Sequence, residues 1–525
     1  MKKMNIWKRL GLLTLSTCAA ITLAMPLTAS AAGQAASYAD GTYTGTGSGF
    51  GGDIKVKVTV KGGKIASIKE VSQSETPEYY NKAKTLYKSI AEKNSTDVDS
   101  VSGATRSSAG IKEAVRKALK KAAKADPSKP DASIFASGKG TKSSPFQIKT
   151  ARQLRAFGKS VAGEVDYTGY YVQLSKNISV SSKEWSPIGG GSTAFNGTFL
   201  GKGHTVSGMT IRPTNKSFRS GKASKAGFFS MLGGKAVVKG LKLTKVNLNI
   251  KAPGIVDAGT ITGTTTGQGD KDHSGSTIRN CSASGKITVK NEEGNIWAGG
   301  LVGMQFRGAV INSTSAVNVT ASEHILKTSA DIGDEEYWVE AGGISGLNFW
   351  GLIANSTSTG NVKASYYCDQ TKDHSKNTTY AAAGLISGLS LGTETNNYVS
   401  GTVTTPYATK YAGVLDGLVE GSAKSTIRTQ IMGNRYSTKV RIKNGKKKYA
   451  PKKSNLAVIR SGDEKIVTIS GNKSYSPKKG KALTSALNKG RKSTKANISS
   501  YGIKKSSLTA WTYNKKSKMP VQKCR

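Results

Sequence analysis

Residues 99–115 read DSVSGATRSSAGIKEAV, and the hydroxyl of Thr105 is the group in this stretch best placed to do chemistry. Gly103 and Ala104 leave little bulk beside it. The pattern that follows places Ile111 and Val115 on one face and predicts a helix over about 107–123. Because the N-terminus of a helix has free N–H groups and a positive dipole end, it favours an anion. We therefore expect Thr105 to lie where a phosphate would be held.

The neighbours of Thr105 allow two interpretations. Arg106 could add a positive charge beside a bound anion, and Ser107 and Ser108 could donate hydrogen bonds to it. However, Ser and Thr residues at the start of a helix commonly act only as N-caps. The residue types alone leave both interpretations open.

The stretch 99–105, Asp-Ser-Val-Ser-Gly-Ala-Thr, resembles the Asp-x-x-Ser/Thr-Gly-Ala-Thr motif of FMN-binding domains that are flavinylated on threonine. Such domains occur in the C subunits of sodium-pumping NADH:quinone reductases and in the G subunits of Rnf complexes. Residues 40–68 resemble the opening hairpin of that family, 74–77 (SETP) its Glu-Thr-Pro segment, and 95–119 its closing motif and helix. The resemblance implies a small α+β FMN-binding domain over residues 38–122.

The resemblance also implies the site. A flavin transferase that uses FAD as donor would attach FMN covalently, through a phosphoester to Thr105. The further cofactor-binding residues that it implies are Ser102, Gly103, Ala104, Asp99, Ser107, Ser108, Glu75 and Thr76. Asp99 is also consistent with an ordinary turn. Several relatives have Gly after Glu-Thr-Pro, whereas this chain has Glu78-Tyr79-Tyr80, so the two tyrosines are candidates either for stacking on the flavin or for ordinary packing.

The function that follows from the resemblance is extracytoplasmic electron transfer, in a flavoprotein or a part of a reductase system rather than a stand-alone hydrolase. A flavin takes one or two electrons, and the protein positions it. The sequence shows no nicotinamide-binding pattern, no second flavin motif and no CxxCH haem site. We therefore expect a separate membrane donor and a separate extracellular acceptor, and we assign no catalytic residue and no metal ligand.

The segments before the motif predict the elements that would position it. Ile54, Val56, Val58 and Val60 alternate with Lys and Thr, which predicts a half-buried strand. Gly62-Gly63 predicts a two-residue hairpin, and the imperfect apolar spacing over 65–71 predicts a return strand with a bulge. A helix is expected over 79–93.

Residues 1–31 are typical of a signal peptide, with basic residues, an apolar stretch and the small-residue site Ala29-Ser30-Ala31. We expect a protein that is secreted or held at the cell surface or cell wall. Leu15-Ser16-Thr17-Cys18 fits a lipoprotein box poorly, so we do not expect a lipid anchor. No later segment has a run of about 20 apolar residues, the length that spans a membrane.

After a linker at 123–133, a repeat predicts the architecture of residues 134–430. AGGLVG, AGGISG, AGLISG and AGVLDG begin at residues 298, 341, 383 and 412. Recurring short strands of this kind predict a solenoid, whose rungs bury one continuous core, and a β-sandwich is the alternative. Residues 140–157, 185–189, 195–211 and 227–243 resemble secreted proteins with GLUG-type repeats. That resemblance implies an all-β right-handed parallel β-helix. The sequence shows almost no helical periodicity from Ile134 onward, so almost no helix is expected there.

The charge of the chain predicts a polyanionic partner. Its 525 residues contain 78 Lys and Arg against 32 Asp and Glu, a formal net charge of +46. For an exported protein the expected partner is an anionic cell-wall polymer or a membrane surface rather than nucleic acid, although solubility alone is another explanation. Residues 431–525 are the most basic, and we expect either final rungs or a small β cap there.

Other candidate residues carry weaker signals. Asp331, Asp334, Glu335 and Glu336 form an acidic cluster, and Asp272-His273 and Asp373-His374 lie in two KDHS segments; solvated loop tips explain both features better than a metal site. Cys281, Cys368 and Cys524 form neither a disulfide framework nor a metal motif. Two alternative functions remain open: a surface adhesin or wall-binding protein with an accessory flavin, and a polysaccharide-active β-helix enzyme.

Overall fold

The computed structural model of the chain describes residues 38–122, 128–190, 193–212, 224–267, 274–292, 294–325, 337–368, 380–406, 411–421, 428–460 and 462–522. The expected signal peptide, the acidic cluster at 331–336, both Asp-His pairs, Cys18 and Cys524 lie outside these residues. The chain divides into two compact units at Pro127 and Ser128.

The first unit is a small α+β domain built on an antiparallel sheet of order β1–β2–β3. Its strands are β1 Gly41–Ser48, β2 Asp53–Lys61 and β3 Lys64–Gln73, and its helices are α1 Pro77–Ala83, α2 Leu86–Lys93 and α3 Thr105–Ala122. The apolar residues of β2 are buried in alternation, and the hairpin glycines Gly62 and Gly63 have φ values of 63° and 75°. The predicted strand and hairpin are therefore confirmed.

Two details of this unit refine the prediction. The register of β3 on β2 shifts at Lys55/Val56 and at Thr59/Val60, which accounts for the imperfect apolar spacing of the return strand. The single helix expected over 79–93 is instead two helices, α1 and α2. The break between them lets the hydroxyls of Tyr80 and Tyr87 meet at 2.8 Å.

The second unit is a parallel β-solenoid of about six turns. Each complete turn contributes strands in the same order to four sheets, here named A, B, C and D. Its strands in chain order are β4 Phe146–Ile148, β5 Tyr171–Leu174, β6 Ile178–Ser179, β7 Ala194–Phe195, β8 Thr198–Leu200, β9 Thr205–Ser207, β10 Thr210–Ile211, β11 Ser224–Ala226, β12 Phe229–Leu232, β13 Val237–Lys239, β14 Lys242–Ala252, β15 Val256–Gly259, β16 Thr262–Thr265, β17 Thr277–Arg279, β18 Ser282–Asn291, β19 Ile296–Gly299, β20 Val302–Phe306, β21 Ala309–Ile311, β22 Thr314–Ile325, β23 Trp338–Gly342, β24 Ser345–Phe349, β25 Leu352–Ala354, β26 Thr357–Ser358, β27 Val362–Cys368, β28 Tyr380–Gly384, β29 Ser387–Ser390, β30 Thr393–Thr395, β31 Tyr398–Val399, β32 Thr402–Thr405, β33 Tyr411–Ala412, β34 Asp416–Val419, β35 Thr429–Met432, β36 Arg435–Ser437, β37 Arg441–Asn444, β38 Lys447–Tyr449, β39 Ala457–Ile459, β40 Val467–Ser470, β41 Lys473–Tyr475, and the terminal hairpin β42 Thr512–Asn514 and β43 Met519–Val521.

The sheets differ in size. Sheet A has ten strands (β4, β5, β8, β13, β17, β21, β25, β30, β35 and β40), and sheet B has fourteen (β6, β9, β10, β14, β18, β22, β26, β27, β31, β32, β36, β37, β38 and β41). Sheet C has six strands (β11, β15, β19, β23, β28 and β33), and sheet D has eight (β7, β12, β16, β20, β24, β29, β34 and β39). Stacking of the rungs buries a continuous apolar core, which runs from Phe135 to Val467 along the chain.

The AGG-type repeat forms the corner between sheets C and D. Its alanines lie in register on successive rungs, as Ala298 with Ala341 and Ala341 with Ala383. A Cβ on Gly299 would lie 1.9 Å from the carbonyl oxygen of Val302, and one on Gly342 would lie 1.7 Å from that of Ser345. Only glycine fits so tight a corner, which explains why this residue recurs with the period of the rungs.

Two helices of the second unit correct the sequence analysis, which expected almost no helix after Ile134. Helix α4 spans Ala151–Ala162, and Thr150 caps it by accepting a hydrogen bond from the backbone N–H of Gln153. Helix α5 spans Gly480–Ser493. Short 3-10 helices lie at Ala132–Ile134, Lys453–Asn455, Pro477–Lys479, Ser499–Tyr501 and Lys505–Ser507. The basic C-terminal region therefore contains final rungs, up to Tyr475, and then a cap that is partly helical.

No helix among the described residues is long and apolar enough to cross a membrane.

A pair of carboxyl groups is enclosed in the last rungs. Glu394 and Asp416 are both fully buried. Glu394 accepts hydrogen bonds from the Ser387 hydroxyl at 2.6 Å and the Asn348 amide at 3.2 Å, and Asp416 accepts one from the Ser387 backbone N–H at 3.2 Å. Burial raises the pKa of both carboxyls, and the charge of Glu394 raises the pKa of Asp416 further. The pair is therefore most stable when it retains a proton.

This pair predicts a pH dependence of stability that a single substitution should reduce. A group with a raised pKa in the folded state binds more protons folded than unfolded, so the free energy of unfolding falls as pH rises above the usual carboxyl range. Ser345 and Ser387 occupy the position of Asp416 on the two preceding rungs, so Asp416→Ser suits the fold. We expect wild type to lose up to about 1.4 kcal/mol per pH unit for each proton involved, and the variant to lose less. Thermal melts between about pH 5 and pH 8 check this, and equal slopes would contradict it.

Candidate functional site

The site is positioned by a close contact between β1 and α3. A Cβ on Gly45 would lie 2.0 Å from the carbonyl oxygen of Ala114, and one on Gly47 would lie 2.2 Å from that of Gly110. A Cβ on Gly110 would in turn lie 2.9 Å from Cα of Gly49. The helix thus lies directly on the strand backbone, so β1 fixes where the first residue of α3 stands.

Glu75 ties the turn after β1 to the first turn of the helix. Its carboxylate accepts hydrogen bonds from the backbone N–H groups of Gly51, at 2.5 Å, and Gly52, at 3.1 Å, and from the Ser107 hydroxyl. Desolvation of this buried carboxyl raises its pKa, but the hydrogen bonds from Ser107 and from the backbone of residues 50–52 outweigh that effect and lower it. Glu75 is therefore an ionised connector between the two segments.

The loop over residues 98–104, which contains most of the motif, is held to α3 by two other side chains. The Ser108 hydroxyl accepts a hydrogen bond from the backbone N–H of Val101 at 3.1 Å. The Lys112 ammonium donates to the carbonyl of Val98 at 3.0 Å and to the Ser100 hydroxyl at 2.9 Å. These bonds fix the loop that leads into Thr105.

Thr105 itself is exposed as the first residue of α3. The backbone N–H of Ser108 bonds to the carbonyl of Ala104 at 2.9 Å, so the helical hydrogen bonds begin there. The N–H groups of the preceding helical residues have no acceptor within the helix, as at every helix start. A Cβ on Gly103, which has a φ of 73°, would have nothing within 4 Å. The hydroxyl therefore stands at an open helix N-terminus.

An aromatic and cationic cluster includes Arg106, the residue after Thr105. Phe50, at the tip of the turn after β1, is 55% exposed. Its ring meets that of Tyr79 edge-on, with 5.7 Å between centroids and 75° between planes. The Arg106 guanidinium carbon lies 5.8 Å from the Phe50 centroid. The exposed side of the Phe50 ring offers a surface on which a flat ring can stack.

The predicted site residues fall into two groups. Thr105, Ser102, Gly103, Asp99 and Thr76 are exposed, whereas Ala104, Ser107, Ser108 and Glu75 are buried. The buried hydroxyls hold the scaffold, as a cap would, and are engaged with Glu75 and Val101.

The sequence analysis did not predict three features of the site: the roles of Phe50 and Lys112, and the packing of β1 on α3. The alternating glycines at 45, 47 and 49 and the lone aromatic that follows were the available signals. Of the two tyrosines after Pro77, Tyr80 is buried and bonds to Glu70 at 2.8 Å, while Tyr79 is half-buried beside Phe50.

The donor set fits a group that joins a phosphate to a flat ring. The open N-terminus of α3 and Arg106 suit the phosphate, and Phe50 with Tyr79 suits the ring. Among the described residues, no group of three or more His, Cys, Asp or Glu is placed to hold a metal ion.

Removal of Glu75 tests its connecting role. Glu75→Ala leaves the Ser107 hydroxyl and two backbone N–H groups without an acceptor, and we expect it to lower the stability of the first unit by about 1.5–3 kcal/mol. Glu75→Gln keeps an acceptor and should cost clearly less. Hydrogen exchange at the amides of Gly51 and Gly52 reports the change. Equal protection of these amides in wild type and Glu75→Ala would contradict the role.

Comparison with known proteins identifies the first unit. Residues 49–120 match the family model described as FMN-binding domain. A protein described as a Gly-rich membrane protein of Evansella cellulosilytica is 31% identical over 135 residues, which are 24% of this chain and 14% of that protein. Halomucin of Haloquadratum walsbyi is 32% identical over 177 residues, which are 32% of this chain and 2% of halomucin. The chain thus spans a small part of the length of these curated relatives.

Among solved structures, a candidate immunoglobulin A1 protease from Bacteroides ovatus aligns with a TM-score of 0.48 and 17% sequence identity, over 77% of this chain and 100% of that one. The match to the FMN-binding family model, at residues 49–120, lies within the first unit, which contains Thr105 and its surroundings. Residues 49–120 are therefore an FMN-binding domain, in a chain that continues as a parallel β-solenoid.

Proposed function

We propose that this protein is a secreted or cell-surface flavoprotein that carries FMN on Thr105 through a phosphoester and acts in extracytoplasmic electron transfer. The observation that supports this most directly is the exposed hydroxyl of Thr105 at the open start of α3, within the domain that matches the FMN-binding family.

Attachment needs an accessible hydroxyl and a flavin transferase. In the transfer, the Thr105 oxygen forms a bond to the FMN phosphorus, the pyrophosphate bond of FAD breaks, and AMP leaves while the hydroxyl loses its proton. Gly103 leaves the approach to Thr105 open, because even an added Cβ would have no neighbour within 4 Å. Asp99 and Ser102, both exposed in the same loop, are available for recognition by the transferase.

Once attached, the phosphate would stay beside the start of the helix. The dipole of α3 and its first N–H groups stabilise negative charge at that end. Arg106 adds a full positive charge there. The Ser107 hydroxyl does not donate to this phosphate, because it donates to Glu75.

Phe50 and Tyr79 would hold the ring of the cofactor. Their edge-on contact builds an aromatic corner, and the exposed face of Phe50 offers the stacking surface. FMN, when bound, supplies one- and two-electron redox chemistry, and the residues around it set its exposure and its electrostatic surroundings. A flavin ring that stays partly exposed beside Phe50 suits electron transfer between separate proteins, which are a membrane donor and an extracellular acceptor.

A covalent bond has a physical reason in such a location. Outside the cell, a cofactor held by equilibrium binding alone is lost by diffusion, whereas an ester keeps it on the protein. An anionic wall polymer or the membrane surface would keep the basic solenoid near the electron donor.

Flavinylation should depend on one hydroxyl. We expect protein matured with a flavin transferase to fluoresce in a denaturing gel, and Thr105→Ala to be dark because the acceptor oxygen is gone. Thr85→Ala, which removes another exposed hydroxyl of the same domain, is the matched control and should remain fluorescent. Fluorescence of Thr105→Ala at the wild-type level would assign the ester to another residue.

Phe50 should affect the cofactor without affecting its attachment. We expect Phe50→Ala to be flavinylated to the wild-type extent but to show stronger quenching of flavin fluorescence by iodide, because the ring loses its stacking surface. The matched control is Val71→Ala, which changes another exposed apolar side chain of the domain. Identical quenching of wild type and Phe50→Ala would show that the ring lies elsewhere.

A further inference from the structure

A groove crosses the outer face of sheet B, in the second unit. It has a volume of about 290 Å³ and passes over four neighbouring strands, β22, β27, β32 and β37. Its polar lining includes Asn318, Thr320, Asn361, Lys363, Thr404 and Lys443. The side chains of Val319 and Val362, on the same strands, belong to the apolar core of the solenoid, whereas Lys363 and Lys443 are exposed.

One row of side chains in the groove alternates hydroxyl and ammonium groups. The strand register pairs Thr320 with Lys363, Lys363 with Thr404, and Thr404 with Lys443. Because neighbouring strands of a sheet lie about 4.8 Å apart, the two lysines stand roughly 10 Å apart with a threonine between them. The row therefore presents a positive charge on every second rung.

The adjacent row presents amides. The Oδ1 atom of Asn318 accepts the backbone N–H of Asn361 at 2.9 Å, and the Oδ1 atom of Asn361 accepts that of Thr402 at 2.9 Å. Each bond fixes one asparagine side chain against the next strand. The amide nitrogens of both remain as donors, held at the same rung spacing.

The chemistry of the lining selects the class of ligand. None of the nine lining residues is acidic, and the chain as a whole has a net charge of +46. Hydroxyl and amide groups pair with sugar hydroxyls, and ammonium groups pair with carboxylate or phosphate. Since the pattern repeats from rung to rung, it matches a polymer with repeating acidic groups better than it matches one small molecule.

We propose that this groove binds a linear acidic polysaccharide that lies across the strands. Its acidic groups meet Lys363 and Lys443, and its hydroxyls meet Thr404 and the asparagine amides. This binding does not depend on the flavin, so it can fail or hold independently of the function proposed above.

The test compares two pairs of exposed lysines in the second unit. Full-length protein is titrated with polygalacturonate at low salt, as wild type, as Lys363→Gln/Lys443→Gln, and as the control Lys489→Gln/Lys492→Gln. The control removes the same charge from exposed lysines of α5, outside the groove. We expect the groove pair to weaken binding about tenfold and the control pair less than about twofold. Equal weakening by both pairs, or no binding by wild type, would overturn the proposal.

A second variant separates the sugar from bare charge. Thr404→Val removes one hydroxyl and keeps the shape of the side chain, so a folded variant is expected, with an unchanged thermal melt as the check. It should weaken binding of polygalacturonate while leaving that of inorganic polyphosphate unchanged. If both polymers lose affinity equally, or if phosphatidylglycerol vesicles compete as strongly as polygalacturonate, the groove is not a polysaccharide site.

Discussion

The direct contact between the backbone of β1 and the backbone of α3 is the constraint on which the flavin domain depends. Gly45, Gly47 and Gly110 permit it, because a methyl group on any of them would lie less than 3 Å from the backbone of the facing helix, strand or turn. With the helix seated at this distance, the turn after β1 comes beside the first turn of α3, where Glu75 joins the two through Gly51 and Ser107. That turn carries Phe50, whose backbone also hydrogen-bonds to Glu75, and the helix begins with Thr105. The hydroxyl of Thr105 and the exposed ring of Phe50 are thus placed by residues that hold the scaffold.

In the solenoid, too, close backbone contacts at glycines determine where side chains lie. The tight corner at the AGG-type repeat sets the register of each rung on the next, and every side chain row follows from that register. Asp416 takes the place of a serine on the last rungs and meets Glu394 in the interior, where one proton relieves the repulsion. On the outer face, the same stacking aligns Lys363 with Lys443, which are far apart in the chain.

The sequence was most informative where local pattern decides structure. Alternation along β2 and the Gly62-Gly63 pair predicted the hairpin, and the recurring AGG-type segments predicted the rungs. The motif located Thr105 at the start of a helix. The sequence did not predict side-chain contacts between segments that are distant in the chain, such as Ser107 with Glu75 or Lys112 with the loop that precedes Thr105. The helix at 151–162 was missed although Leu154, Phe157 and Val161 carry a helical spacing, because the surrounding β pattern outweighed a short segment.

The central claim is that a single oxygen, that of Thr105, carries the cofactor. Trypsin should release residues 94–106 as one peptide, which ends at Arg106 and contains Thr105. Mass spectrometry of this peptide, from protein matured together with a flavin transferase, is the most direct test. The account predicts a mass increase equal to FMN less one water, with fragment ions that place it on Thr105. An unmodified peptide, or FMN on any other residue, would contradict it.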